Sequence, residues 1–334
     1  MQTLKLGVYL PQKSHENDHG SIHTPLSNRM PNQEIRSLLE LLSNSGKFEL
    51  IEIANLNDLI IINETVFYKD TVLNDLDVFF WYGEVGRDNG TYSLDVLKAL
   101  SHTTKVVPNP YSFEVGLDKY ISHILLKRMG VSVPELVLLS SSNVHLAKPI
   151  LDEWGYGLLK PRKGGFGKGV TLISNFSMLR DIVEYTESIQ SANSCEGLLL
   201  ERYYENSLDK FVSATLIDGE IMYGYRKRPS KLADLGNGLK KIYDANEIGG
   251  EVDLCDVLPK HRKQALKASS ALGSEVIGFD MIWHDNTPIV VDENTFPGLY
   301  VDLFNQQGIS LAQKMYNLIL KSSSVDTLQL SRVA

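Results

Sequence analysis

Cysteine is scarce in this chain: Cys195 and Cys255 are the only two in 334 residues, far apart and without a CxxC or CxxH neighbour. That scarcity argues against a disulfide framework or a cysteine zinc site and fits a reducing cytoplasm, the expected compartment. No apolar run nears the roughly 18 residues that cross a bilayer, so no membrane association is expected. No charged-then-apolar leader precedes the strand-like run at residues 4–10. Positive charge is not in excess either: 33 Lys and Arg against 41 Asp and Glu leave a formal net charge of −8. A general nucleic-acid binder needs a basic face, so that class is set aside, whereas a local anion pocket is not. Internal repeats and low-complexity tracts are missing too. What is present, 43% hydrophobic and 22% charged residues, is expected of a soluble globular chain long enough for two or three domains.

The most informative stretch is 278–299, GFDMIWHDNTPIVVDENTFPGL. Two runs rich in Val, Ile, Phe, Met and Trp flank the turn-forming residues 284–288, which predicts an antiparallel hairpin. With the turn centred on Asn286, Asp280 lies opposite Asp292, where like charges repel across a Cβ separation of about 4.5–5.5 Å. Alternation puts Asn294 on the face of Asp292 and Glu293 on the other. Two carboxylates held together on an apolar hairpin call for a cation. An oxygen-only donor set suits Mg2+ or Mn2+ better than zinc. The plain alternative is a hairpin with one solvated face and no metal.

Upstream, strands at 4–10, 48–53, 78–82 and 105–107 alternate with helical patterns. One of these is the stripe Ile35, Leu38, Leu39 and Leu42, capped by Asn32 and ended by Gly46. Residues 1–110 are therefore expected to form a small open α/β layer. Such layers bind ligands at the carboxyl ends of their strands, which points to the long polar loop 11–31 and to 83–87. His15, His19 and His23 recur every four residues in that loop, but Gly20 and Pro25 break any helix, favouring a substrate-facing or disordered segment over a metal face. Asp118 and Lys119 open a further helix. A lysine at the positive end of a helix makes better sense with an anion beside it.

Residues 157–173, GLLKPRKGGFGKGVTLI, run from a strand through Lys160 into a loop with Gly164, Gly165, Gly167 and Gly169, then into another strand. Glycines let backbone amides approach phosphate oxygens. Lys160, Arg162, Lys163 and Lys168 add charge, so a phosphate-covering flap is preferred to a flexible hairpin. It is not a Walker loop, because Arg162 and Gly169 stand where a glycine and a hydroxyl residue are needed. Nor is it a dinucleotide fingerprint, because no helix follows at once. Glu201 ends the next strand, where a lone carboxylate is more often a solvated strand end than an acceptor for an adenine amino group. Arg226, Lys227 and Arg228 leave a hairpin at 211–225, where a solvated edge and a phosphoryl clamp are both open readings. Residues 229–250 carry Gly236, Gly238, Gly249 and Gly250 and read as a mobile loop over the site.

The order of these parts, Lys119, Lys160 with its glycine loop, Glu201, Arg228, Asp280 and then Asp292-Glu293-Asn294, resembles the ATP-grasp superfamily of carboxylate–amine ligases. That superfamily includes D-alanine–D-alanine ligases, glutathione synthetases and ribosomal-protein glutamate ligases. The similarity covers residues 118–320, and 278–299 resembles the glutamate-ligase pattern Gly-x-Asp, a gap, Glu-x-Asn, Pro-Gly-Leu. The resemblance implies an α/β ATP-grasp fold: an N-terminal α/β substrate domain (1–110), a central subdomain with the glycine flap (111–195) and a C-terminal subdomain with the metal site (196–325). It implies that Lys119 and Lys160 hold ATP phosphates under Gly164, Gly165, Gly167 and Lys168. Glu201 and the backbone near Tyr203 would meet adenine, and Asp209 the ribose. Arg228 would stabilise the transferring phosphoryl group, while Asp280, Asp292 and Asn294 would carry two Mg2+ (or Mn2+). Asp292 replaces the usual bridging Glu, and a slip of one residue hands that role to Glu293. The implied reaction joins a small-molecule carboxylate to an amine, an amino acid or small peptide, through an acyl phosphate. A small-molecule kinase and an ATP-regulated binding protein are the rival readings. Relatives are often homodimers.

Overall fold

The computed structural model describes residues 3–11, 30–83, 85, 92–164, 169–189, 197–205, 210–228, 233–236, 239–241 and 251–324, with backbone only at 227, 228, 233–236, 239–241, 251 and 324. Residues 12–29 of the 11–31 loop, with its three histidines, and Gly165, Gly167, Lys168, Asp209 and most of 229–250 lie outside these residues.

The first layer is a parallel sheet of order β2-β1-β6-β7, made of β1 (Leu4–Tyr9), β2 (Phe48–Glu52), β6 (Val78–Trp81) and β7 (Lys105–Val107). The run VFFW in β6 has no polar alternation because both faces are covered. Phe80 packs against α1 (Asn32–Asn44) and α9 (Leu311–Ser324). Phe79 faces the core under α2 (Tyr92–Leu100). Asn32 is not the cap expected of it: α1 begins at Asn32, with Pro31 at the N-cap. Between β2 and β6 runs an antiparallel meander, β3 (Leu59–Ile62), β4 (Thr65–Tyr68) and β5 (Thr71–Val72), which the sequence reading did not foresee.

After α3 (Pro110–Leu117) and α4 (Lys119–Arg128), the second sheet has the order β10-β9-β11-β8. It comprises β8 (Leu136–Leu139), β9 (Gly157–Pro161), β10 (Thr171–Ile173) and β11 (Leu198–Arg202), and α5 (Lys148–Trp154) and α6 (Phe176–Ile189) cover its own separate core. The expected division near 195 cuts β11 away from this sheet. Its carbonyls and amides pair with β8 and β9, so the layer extends through Arg202.

The third sheet, β16-β13-β12-β17-β18, is wholly antiparallel: β12 (Val212–Ile217), β13 (Glu220–Arg228), β16 (Glu251–Cys255), β17 (Val276–His284) and β18 (Thr287–Asn294). A small ribbon, β14 (Ala233–Gly236) with β15 (Leu239–Lys241), occupies part of the expected 229–250 loop. One face of the sheet packs on α4 and α7 (Pro259–Leu272). On the other, Tyr223 and Tyr225 meet α8 (Val301–Gln306) and Tyr300. Then α9 returns to the first layer, its Ala312 amide donating to Glu34 of α1 at 3.1 Å. No helix among the described residues is long and apolar enough to cross a membrane.

Candidate active site

The β17–β18 hairpin brings Asp280 opposite Asp292, as expected, but by a different route. The turn is the two-residue Asp285-Asn286, both with positive φ (46° and 61°), the mirror-image geometry that suits the twist of a hairpin. That turn pairs Met281 with Val290 and would leave Asp280 facing Val291. A bulge then inserts Val291 as an extra residue in β18 and restores the Asp280–Asp292 pair. Gly278 sits in this stretch because a Cβ there would come within 3.2 Å of Pro297.

Across the third sheet the register aligns Tyr225, Ser213, Asp280 and Asp292 in one row, and Tyr223, Thr215, Gly278 and Asn294 in the next. The Ser213 hydroxyl donates to Asp280 Oδ1 at 2.6 Å. The Asn294 side-chain oxygen accepts from the Phe296 amide at 3.0 Å, bending the chain after the strand. Two carboxylates and an amide on one face form an incomplete hard-oxygen set, which suits Mg2+ with water and phosphate oxygens supplying the rest. No cluster of three or more His, Cys, Asp or Glu side chains able to hold a metal by themselves occurs among the described residues.

In the backbone register of the third sheet, Arg228 ends β13 opposite Glu251 of β16. The structure thus brings Lys119, Gly164 and Asp292 together.

Lys119 finds the anion its position called for. Its ammonium lies 3.4 Å from Asp292 Oδ1 and donates to the Gly164 carbonyl at 3.0 Å. The charge of Asp292, outweighing burial, raises its pKa. The helix starts there because Asp118 Oδ1 accepts from the amides of Tyr120 and Ile121. Lys160 reaches Glu201 Oε2 at 2.5 Å, both side chains being about nine-tenths buried, and points to the Val291 carbonyl at 3.5 Å. Glu201 is therefore not a solvated strand end. The Tyr203 amide donates to the Tyr156 carbonyl at 3.1 Å and so is already engaged.

Three participants were not singled out as site residues by the sequence reading. Ser213, directly across from Asp280, was legible only once the register was known. Ser122 and His123 follow Lys119 on α4, and His123 lines, with Lys119, Glu201, Asp292 and Glu293, a small cavity of about 10 Å³. Ser122 donates a short hydrogen bond to Glu293, which lies on the α4 side of the hairpin, off the Asp280 row, as alternation required. Burial, then the neighbouring Asp292 charge, pushes Glu293 up to about 7, while burial and the Lys127 and Lys160 charges push His123 down to about 4.

These two groups act oppositely on stability. Glu293 stabilises the fold at acid pH, and this contribution is lost as pH rises through about 7. His123 stabilises it above its unfolded value of 6.5, and this contribution is lost as pH falls toward about 4. Glu293→Gln is expected to raise stability at pH 8 by on the order of 1–2 kcal/mol and to leave the acid limb in place. His123→Gln should flatten that acid limb. Urea unfolding of the nucleotide-free protein between pH 4 and 8 measures both, and an unchanged pH profile in either variant would contradict its assignment.

The Lys119 ammonium against one of two opposed carboxylates on a hairpin, with Lys160 of the second antiparallel sheet reaching the strand that bears it, fits the layout of the ATP-grasp carboxylate–amine ligases. Solved members of that class share its fold over nearly the whole chain. A D-alanine–D-alanine ligase from Bacillus anthracis aligns with a TM-score of 0.63 at 19% identity, covering 96% of this chain and 97% of that one. A RimK domain ATP-grasp protein from Sphaerobacter thermophilus aligns with a TM-score of 0.61 at 14% identity, covering 95% and 99%. Residues 116–319 match the RimK-like ATP-grasp domain, and the chain belongs to that family. A tetrahydromethanopterin:alpha-L-glutamate ligase of Methanocaldococcus jannaschii is 23% identical over 258 residues, 76% of this chain and 82% of its own length. A probable alpha-L-glutamate ligase of Xanthomonas campestris is 24% identical over 241 residues, 70% and 76%. The chain is accordingly an ATP-dependent carboxylate–amine ligase, a class that forms amides through acyl phosphates and generally requires ATP and Mg2+.

Proposed function

We propose that the protein joins an amino acid, through its amine, to the carboxylate of a small molecule or short peptide, with release of ADP and phosphate. The observation that carries this reading is the pair Asp280 and Asp292, opposed across the hairpin with the Lys119 ammonium against one of them. Relatives named as glutamate ligases make L-glutamate the first amine to test.

A free carboxylate is a poor acyl donor because hydroxide would have to leave; phosphorylation gives it a better leaving group. Lys119 and Lys160 meet the phosphates of ATP, and Glu201 offers its second oxygen to the adenine amino group. Asp280, Asp292 and Asn294 would hold two Mg2+ ions, which would neutralise charge on the phosphoryl oxygens. The remaining positive charge comes from Arg228 at the end of β13, as the family pattern has it. Such groups act by positioning and by charge prepared in advance.

Phosphate release from ATP, screened over pairs of amino acids and followed by mass spectrometry, tests the proposal. The expected product is heavier than the carboxylate by the amine less water. A phosphorylated product without an amide would mean a kinase. Nucleotide binding without turnover for any pair would mean a binding protein.

A further inference from the structure

Arg162 was expected among the phosphate-binding cations, yet its guanidinium points elsewhere. Nε lies 2.9 and 2.8 Å from the two oxygens of Asp118, and Nη2 lies 2.6 Å from Oδ2. Asp118 is buried, which by itself would raise its pKa; the hydrogen bonds and charge of Arg162 and two backbone amides outweigh burial and lower it. The backbone repeats the link, since the Lys119 amide donates to the Arg162 carbonyl at 3.1 Å. Two residues further, the Gly164 carbonyl takes the Lys119 ammonium. Residues 118–119 and 162–164 are therefore joined by a side-chain fork, a peptide hydrogen bond and an ammonium contact. The first stretch opens α4, which packs on the third sheet, while the second leaves β9 of the second sheet.

From this arrangement we infer that Arg162 is a positioning residue for the ligase reaction. Through Asp118 it fixes where the Lys119 ammonium stands between Gly164 and Asp292, and it does not itself bind phosphate. A planar fork held on both carboxylate oxygens resists rotation in a way a single ammonium cannot. The consequence for catalysis rests on the role proposed above for Lys119, whereas the mechanical coupling does not.

The test uses Arg162→Gln, Arg162→Lys and Asp118→Asn, the last keeping a helix-capping oxygen. In the nucleotide-free full-length protein, hydrogen exchange at the Lys119 amide is expected to speed up at least about tenfold in Arg162→Gln and in Asp118→Asn. Unchanged exchange overturns the coupling whatever the activity. In steady-state kinetics, Arg162→Gln should raise the KM for ATP by about tenfold and lower kcat by a similar factor, with Arg162→Lys partly restoring both. In the Lys119→Ala background, Arg162→Gln should cost little more, because its effect passes through Lys119. Full additivity there would show that Arg162 meets ATP directly and overturn the inference. If Lys119→Ala alone left ATP kinetics untouched while exchange at residue 119 still responded, the proposed role of Lys119 would fail and the coupling would stand. If Arg162→Gln does not fold, Asp118→Asn carries both measurements.

Discussion

Asp292→Asn is expected to lower turnover by about two to three orders of magnitude while leaving the protein folded. The substitution keeps shape and removes one negative charge from a face where Asp280 lies directly opposite. In the free protein, less repulsion from Asp280 and loss of the ion pair with Lys119 act in opposite directions. With the Asp292 side chain 45% exposed, each is worth at most about 1 kcal/mol, so stability should hardly move. With nucleotide and Mg2+ the balance changes, because the lost charge is one that the divalent ions need nearby. The comparison is therefore between two numbers from one sample. Thermal stabilisation by Mg2+ and ATP should shrink by several degrees relative to the unsubstituted protein, and phosphate release should fall to the stated level. Full activity with an unchanged Mg2+ requirement would remove Asp292 from the site and pass its role to Glu293.

The two cations that end β13 are expected to separate in the same assay. The family pattern gives the transferring phosphoryl group to Arg228, the last residue of β13, and gives Lys227 beside it no such part. Arg228→Ala should therefore cut turnover by about two to three orders of magnitude with ATP affinity nearly retained, the pattern of a group that meets charge only as it develops. Lys227→Ala should cost about tenfold or less. The reverse ranking would take the phosphoryl contact from Arg228 and give it to Lys227.

Much of this site was legible beforehand because its parts are local. A lysine after a capping aspartate, glycines after a strand and an acid two residues before an amide can be read within a few positions of sequence. What could not be read depends on how one strand lies against another. The Asp280–Asp292 pairing was expected from a turn centred on Asn286. It arises instead from a tighter turn and a bulge at Val291, whose half-residue and one-residue offsets compensate. Arg162 looked like a free cation because its partner, Asp118, is 44 positions away. Glu201 looked solvated because nothing local shows that Lys160, on the neighbouring strand, reaches it. The β3–β5 meander went unforeseen because its strands are only two to four residues long. At that length a strand and an extended loop have the same pattern.

Helix α9 closing on α1 has a mechanical consequence. One continuous core contains Leu6 and Ile35 from the start of the chain, Tyr223 and Val276 from the third sheet and Ile319 near the end. The second sheet keeps its core to itself. The first and third layers are therefore expected to move as one body, with the second sheet, whose core is separate, taking up any movement against them. A cysteine cross-link between α1 and α9 should accordingly leave turnover intact, whereas one pinning the second sheet to β18 should arrest it.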